Sequence, residues 1–299
     1  MFSGIGGFDF AAERAGLEVL WQSEINKKAS KVLDYHWPDL NKGDIREITS
    51  PPTVDVLCGG FPCQSYSIMG SRGGLADDRG ALWWEFLRLI KETSPTWVVA
   101  ENVQGLLSSS GSRDFTTIVR SLVQCGYGVA WRVLDSQNWG VPQRRKRVFV
   151  VAHIGGVPRP EILDFYGASG VDSETSSRQR SDASSAPDSV AGYQIQAEII
   201  GRSEFTGPNG LGVRSFDQPS YTLNVSGGPE GIATADFVRM LTPIECERLQ
   251  GFPDGWTDVD GASDHCRYRQ IANAVTVPVA EWVMKRIAST QFNSPGGRP

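Results

Sequence analysis

Four short apolar runs, Val54 to Cys58, Trp97 to Ala100, Val129 to Leu134 and Val148 to Ala152, alternate along the chain with stretches of helical apolar spacing. Runs of this length between turn residues predict buried strands of an α/β sheet. Ala81 to Glu92 brings Leu82, Phe86, Leu89 and Ile90 to one helical face, and Phe115 to Val123 does the same with Ile118, Val119 and Leu122. Both helices are expected to cover the sheet. No internal repeat interrupts this rhythm.

A chain of 299 residues with 40% hydrophobic content has room for one sizeable core and a smaller second domain. The rhythm breaks between Pro158 and Gly192, and Ala168 to Ala191 is rich in Ser, Asp and Arg, as flexible segments are. A first domain is therefore expected over 1–153, completed by 268–292 from the apolar C-terminal stretch. A small domain of short strands and loops is expected over 154–267, with a flexible segment near 168–191. No run of about twenty apolar residues and no signal-peptide layout is present, which predicts a cytoplasmic protein with no membrane partner. Cys58, Cys63, Cys125, Cys246 and Cys266 are scattered and odd in number, without a CxxC pair. Reduced thiols are expected, with neither a disulfide framework nor a metal site. The net charge of −5 gives no global reason to expect nucleic-acid binding, so such a surface would have to be a local basic patch.

The opening Phe2-Ser3-Gly4-Ile5-Gly6-Gly7-Phe8 leads into a helix over Asp9 to Ala15, so its glycines stand where a strand turns into a helix and a cofactor can approach the backbone. Glu24 follows Val19-Leu20-Trp21 and is placed to take ribose hydroxyls, as an acid about twenty residues after the glycines does in nucleotide-binding α/β folds. Asp44 is placed to take an adenine amino group. Each acid alone is most simply a solvated carboxylate; together with the turn they favour an adenosyl cofactor.

Gly59-Gly60-Phe61-Pro62-Cys63-Gln64-Ser65 follows the first of the four runs, which puts Cys63 on a loop at the carboxyl end of a strand, where open sheets of this class hold ligands. A lone cysteine is usually an inert small hydrophobe, and Cys58, inside its strand, keeps that reading. Cys63 stands apart because Glu101 ends the next run, so two strand ends can aim a thiol and a carboxyl at one pocket. Gln143-Arg144-Arg145-Lys146-Arg147 runs into the last strand, so Arg145 and Arg147 are expected on one side. Arg144 and Lys146 fit a solvated face.

These residues together resemble the cytosine-5 DNA methyltransferase family. The match is carried by the Phe-Ser-Gly-Ile-Gly-Gly opening, Pro62-Cys63-Gln64, Glu101-Asn102-Val103 and the Gln-x-Arg-x-Arg of 143 to 147. It continues in family order through Arg239-Met240-Leu241-Thr242-Pro243-Ile244-Glu245-Cys246, Gly251-Phe252-Pro253 and Gln270-Ile271-Ala272-Asn273-Ala274-Val275. The resemblance implies a doubly wound, mostly parallel, Rossmann-like methyltransferase sheet with a smaller target-recognition domain. It implies S-adenosylmethionine as cofactor, lined by Phe2, Gly4, Gly6, Gly7, Glu24, Ile25, Asp44, Ile45, Phe61, Leu82 and Asn273. Cys63 would be the nucleophile, and Glu101, Arg145 and Arg147 would handle the base, one arginine holding Glu101 and the other the cytosine O2. Double-stranded DNA would meet Gln64, Ser65, Ser67, Arg72, Gln143, Thr222 and Leu223, and the loop after Cys63 would close over a flipped base. The family also implies monomeric action at the nucleoid and leaves open a cognate restriction endonuclease as partner.

Two features depart from the family. Only Met1 and Phe2 precede the glycine turn where members carry a full strand, so the sheet is expected to be short of that strand, as from a late start site or a truncation. Ala272 stands where a glycine commonly precedes the asparagine. Other classes fit less well. Ser50-Pro51-Pro52-Thr53 lacks the aromatic of amino-group methylases, the common RNA cytosine methylases use a second catalytic cysteine, and a nicotinamide dehydrogenase has no need of the Pro-Cys and Gln-x-Arg-x-Arg elements. A DNA-binding module without activity would be favoured only if the short N-terminus abolished cofactor binding.

Overall fold

The computed structural model describes residues 1–62, 81–158, 162–163, 193–195, 213–215, 231–233 and 238–292. They divide into two compact units, one drawn from 1–134, 146–168 and 279–299, the other from 135–145 and 169–278.

In the first unit the order is α1 (Gly7–Arg14), α2 (Lys27–His36), β1 (Val56–Gly60), α3 (Ala81–Thr93), β2 (Trp97–Val103), α4 (Arg113–Gln124), β3 (Gly128–Asp135) and β4 (Lys146–His153). The sheet order is β1-β2-β4-β3, with β1 parallel to β2 and β2 antiparallel to β4. The antiparallel pairing departs from a wholly parallel sheet for a simple reason. The segment between β3 and β4 is too short for the crossover helix that a parallel connection needs. The family's initial strand has no counterpart among the described residues. Met1 is buried and its ammonium donates to the Cys58 carbonyl at 2.9 Å.

Each expected strand forms at its apolar run, but burial on both faces holds only for β2 and β4; β1 alternates between buried and half-buried residues, and β3, expected to be buried, is mostly half-buried with Trp131 exposed. Val98, Val99 and Ala100 of β2 and Val148 to Ala152 of β4 are buried. The expected helices form as well, and α3 turns Trp83, Phe86, Leu89 and Ile90 inward, all with no exposed surface. They join Leu57, Val98, Ala100, Ile118, Leu122, Val148 and Val150 in one core. Strand β1 runs two residues further than its apolar run, through Gly59 and Gly60, which pair with Ala100 and Glu101. The run Val19-Leu20-Trp21 makes no strand; only an isolated parallel bridge joins Gln22 to Asn41.

The second unit holds a sheet of order β6-β5-β7-β8, built from β5 (Tyr193–Ile195), β6 (Val213–Ser215), β7 (Gly231–Ala233) and β8 (Val238–Met240), all antiparallel. Helices α5 (Pro243–Gln250) and α6 (Asp264–Asn273) follow, then α7 (Val277–Phe292), which continues into the C-terminal part of the first unit. Thr242 caps α5 in a full capping box with Glu245. The fully buried Glu247 is the hub of this region. It accepts from Gly255 N at 2.7 Å, Thr257 N at 2.8 Å and Arg267 Nη2 at 3.2 Å, and from the Thr257 hydroxyl. The boundaries differ from those expected in three places: 135–145 and 268–278 join the second unit, where Arg145 is bonded to the backbone at the end of α6, and 154–168 falls in the first. The expected flexible segment near 168–191 lies outside the described residues.

Candidate active site

The glycine turn is fastened by one carboxylate. Gly4, held at φ +57°, donates its amide to Glu24 Oε2 at 2.8 Å, and Asn26 N donates to Glu24 Oε1 at 2.7 Å. The Glu24 backbone is held in turn by Asn41, whose Oδ1 accepts from Glu24 N at 2.9 Å and whose Nδ2 donates to Glu24 O at 3.2 Å. Gly6 is required by packing: at φ +84° it caps α1, and a Cβ there would lie 2.2 Å from the Trp37 ring. Gly7 is the first residue of α1. Ser3 Oγ, inside this turn, is buried and has no hydrogen-bond partner among the described residues.

Beside the turn lies an apolar wall. Ile45 and Phe61 are buried in the main core, and Phe2 and Leu82 pack against it half-buried. Phe61 lies against Trp83 with ring centroids 5.2 Å apart, and Phe2 meets Phe86 edge-on at 6.2 Å. Asp44, one residue before Ile45, accepts from Arg46 N and from the Arg46 guanidinium. These bonds hold its carboxyl below the usual carboxylate range. Ile25, next to Glu24, is 62% exposed.

The carboxyl ends of β1 and β2 bring the acid–base elements together. Glu101 is paired across from Gly60, and a Cβ on Gly60 would lie 3.1 Å from Glu101 Oε2, so the glycine leaves room for the carboxylate. On the other side, Val103 pairs with Arg147 and Glu101 with Phe149, which sets Glu101 and Arg147 diagonally on one face of the β2–β4 pair. Arg147 Nε lies 3.1 Å from Glu101 Oε1, and both side chains are mostly buried. The next residue, Asn102, is buried and donates from Nδ2 to the Phe61 carbonyl at 3.1 Å, while its Oδ1 accepts from Val103 N at 2.8 Å. Asn102 thus ties the end of β2 to the chain leaving β1. Only its place in the Glu-Asn-Val block marked it in the sequence.

Burial alternates from 143 to 147, with Arg144 and Lys146 exposed, but the two inward arginines have different partners. Arg145 is 3% exposed, and its Nη2 donates to Ala272 O at 3.0 Å and Ala274 O at 3.1 Å. Arg145 thus holds the backbone at the end of α6, within its own unit. Gln143, expected at the DNA, has no exposed surface, so its side chain faces the interior. Strand periodicity fixed the side on which these residues lie but not what they meet there. Asn273 is exposed at the end of α6. Cys63, Gln64, Ser65, Ser67, Arg72, Thr222 and Leu223 lie outside the described residues. No disulfide joins the described cysteines, and burial pushes the Cys58 thiol up to about 12, as suits an inert position. Among the described residues no cluster of acids, histidines and cysteines could hold a metal, and no helix is long and apolar enough to cross a membrane.

A parallel β1–β2 pair with a glycine turn, a carboxylate and an apolar wall beside it defines a Rossmann-like methyltransferase fold. The family model for C-5 cytosine-specific DNA methylase matches residues 1–186 and 188–289, and the chain belongs to that family of DNA cytosine-5 methyltransferases. Type II methyltransferase M.Eco47II of Escherichia coli is 33% identical over 334 aligned residues, covering 96% of this chain and 77% of the relative. Type II methyltransferase M.HhaI of Haemophilus parahaemolyticus is 27% identical, covering 97% and 93%. The fold is shared with the S. pombe Dnmt2 methyltransferase (TM-score 0.68, 19% identity, 98% of each chain). It is also shared with a putative DNA modification methyltransferase encoded within an E. coli prophage (TM-score 0.67, 22% identity, 98% of each chain). Membership in the family implies methyl transfer from S-adenosylmethionine.

Proposed function

We propose that this chain flips a cytosine out of duplex DNA, adds the Cys63 thiolate to C6 and methylates C5. The observation that carries this function is the Arg147–Glu101 pair at the mouth of the strand that leads to Cys63. C5 of cytosine is a poor nucleophile. Formation of the Cys63 Sγ–C6 bond moves an electron pair toward C5 and N3, and a Glu101 carboxyl bonded to N3 supplies the proton or hydrogen bond that makes this favourable. Arg147 orients that carboxyl and keeps further N–H donors for the cytosine O2. C5 would then take the methyl group as the methyl–sulfonium bond breaks and its electron pair leaves with the neutral thioether; a base would remove the C5 proton, and the electrons of that C–H bond would restore the ring as the Sγ–C6 bond breaks and the thiolate leaves.

The residues at the glycine turn fit S-adenosylmethionine. Glu24 presents carboxylate oxygens for ribose hydroxyls, Asp44 faces the adenine amino group, Phe2, Ile45, Phe61 and Leu82 supply an apolar wall, and the orphaned Ser3 Oγ is free for a polar group of the ligand. When bound, the cofactor supplies an electrophilic methyl group on a sulfonium. Gln64, Ser65, Ser67, Arg72, Thr222 and Leu223 contact the DNA, and the chain acts as a cytoplasmic, nucleoid-associated monomer. The Type II naming of the relatives supports a cognate restriction endonuclease as partner.

The test is bisulfite sequencing of DNA from cells that express the chain, beside Cys63→Ala. Methylation confined to one short motif and lost in the alanine variant is the expected result. Unmethylated DNA from cells containing folded, cofactor-binding protein overturns the proposal.

A further inference from the structure

The segments that carry Glu24 and Asp44 pair over a single step. Gln22 N donates to Leu40 O at 2.9 Å and Lys42 N to Gln22 O at 2.8 Å, the two bonds of the isolated parallel bridge between Gln22 and Asn41. One step further on, a parallel ladder would engage the amide and the carbonyl of Glu24. The side-chain amide of Asn41 takes both instead: Oδ1 accepts from Glu24 N at 2.9 Å and Nδ2 donates to Glu24 O at 3.2 Å. The rest of its capacity is also used, Oδ1 accepting from Gly43 N at 3.1 Å and Nδ2 donating to Ser30 Oγ at 3.0 Å. The Gly43 carbonyl accepts from the hydroxyl of the buried Ser23 at 2.8 Å. Gly43 itself lies at φ +78°, in the left-handed region that favours glycine, and the next residue is Asp44. A side-chain amide has the donor and acceptor of a peptide group, so Asn41 extends the ladder by one step where the two backbones part.

We propose that Asn41 is a positioning residue for the adenosyl group, setting the placement of two carboxylates relative to each other, Glu24 for the ribose and Asp44 for the adenine. This rests on the assignment of both acids to S-adenosylmethionine made above. Each carboxylate is already fixed within its own turn, Glu24 by the amides of Gly4 and Asn26 and Asp44 by Arg46. What is left to fix is one turn against the other, and Asn41 makes that join, with Ser23 beside it. All of these residues belong to one compact unit. With its four hydrogen bonds spent on the protein, the Asn41 amide acts on the ligand only through the backbone it holds.

The test titrates the full chain, by calorimetry, with S-adenosylhomocysteine and with two counterparts, one lacking the ribose 2′-hydroxyl and one lacking the adenine amino group. In the unsubstituted chain each deletion from the ligand should weaken binding by about tenfold. Asn41→Ala is expected to weaken S-adenosylhomocysteine itself by about tenfold or more and to shrink both deletion penalties to about threefold or less, because a displaced carboxylate no longer gains from the group removed. Asn41→Asp, of the same shape but without the Nδ2 donors, should follow the alanine variant. Methyl transfer at saturating S-adenosylmethionine should stay within about threefold, so the loss falls on KM and not on kcat. Deletion penalties that stay unchanged in Asn41→Ala overturn the proposal, whatever the loss of overall affinity. If Asn41→Ala does not fold, Ser23→Ala, which removes the neighbouring bond between the same two turns, carries the same expectations. An unsubstituted chain that binds no S-adenosylhomocysteine, or binds all three ligands alike, sinks the assignment of the two acids instead. Amide hydrogen exchange at Gly43 then decides the join: it must speed up in the substituted chain, and unchanged protection overturns the role of Asn41.

Discussion

Arg147 reaches Glu101 along a diagonal of the β2–β4 pair, Nε to Oε1 at 3.1 Å, so the register of two antiparallel strands sets the orientation of a carboxyl. Arg147→Ala removes the partner of a mostly buried acid. Methyl transfer is expected to fall by about a hundredfold or more, as when a preorganised donor is lost from a low-dielectric site. Arg147→Lys should recover little, because an ammonium lacks the planar fork. Single-turnover methylation beside a thermal melt measures this, and near-normal turnover in Arg147→Ala would mean the pair is structural only.

Gly60→Ala tests the room left for that carboxylate. The new Cβ would sit 3.1 Å from Glu101 Oε2, tight enough to push the carboxyl aside by a few tenths of an ångström. The backbone of β1 accepts alanine, so the fold should persist while turnover drops by about tenfold. A variant that unfolds, or one with unaltered turnover, contradicts this account of the glycine.

Much of this was legible in the sequence, and the remainder was not for identifiable reasons. Strands β1 to β4 were marked by their apolar runs, and the acid at the end of β2 by its place after Ala100. The extension of β1 through Gly59 and Gly60 was hidden because glycine carries no strand signal; its pairing depends on contact with Glu101, which no local pattern encodes. The roles of Arg145 and Asn102 are bonds to carbonyls distant in sequence. Such bonds have no periodicity, and Arg145 and Arg147, identical in type and two residues apart, differ only in what the fold brings to them.

Glu247 supports the second unit from within. It satisfies two backbone amides, a hydroxyl and the Arg267 guanidinium while fully buried. Glu247→Ala leaves Arg267 without its buried counter-charge and is expected to cost about 3–5 kcal/mol. Arg267→Ala should be similarly damaging, with the double variant well short of additive. Urea unfolding followed by circular dichroism measures all three.

Glu245 predicts an acid limit. Its bonds from Arg239, and then those from Thr242, bring its pKa down from 4.5 to about 2. Between those values the unfolded chain binds the proton and the native chain does not. The stability that Glu245 contributes is therefore fully present above about pH 4.5 and lost as pH falls toward 2. Glu245→Gln should flatten that part of the curve of urea midpoint against pH. A variant whose acid dependence matches that of the unsubstituted chain would count against the capping pair.

The carboxylate of Glu24 fastens the amide of Gly4 with one oxygen and that of Asn26 with the other. On the proposed cofactor assignment, a ribose hydroxyl arriving there would share a group that is already a latch, so occupancy and latch would become one thermodynamic equilibrium. Loosening either loop, even at a residue the ligand never meets, would then weaken the grip on the ligand. Affinity at such a site would be distributed over two stretches of chain that hold each other in place.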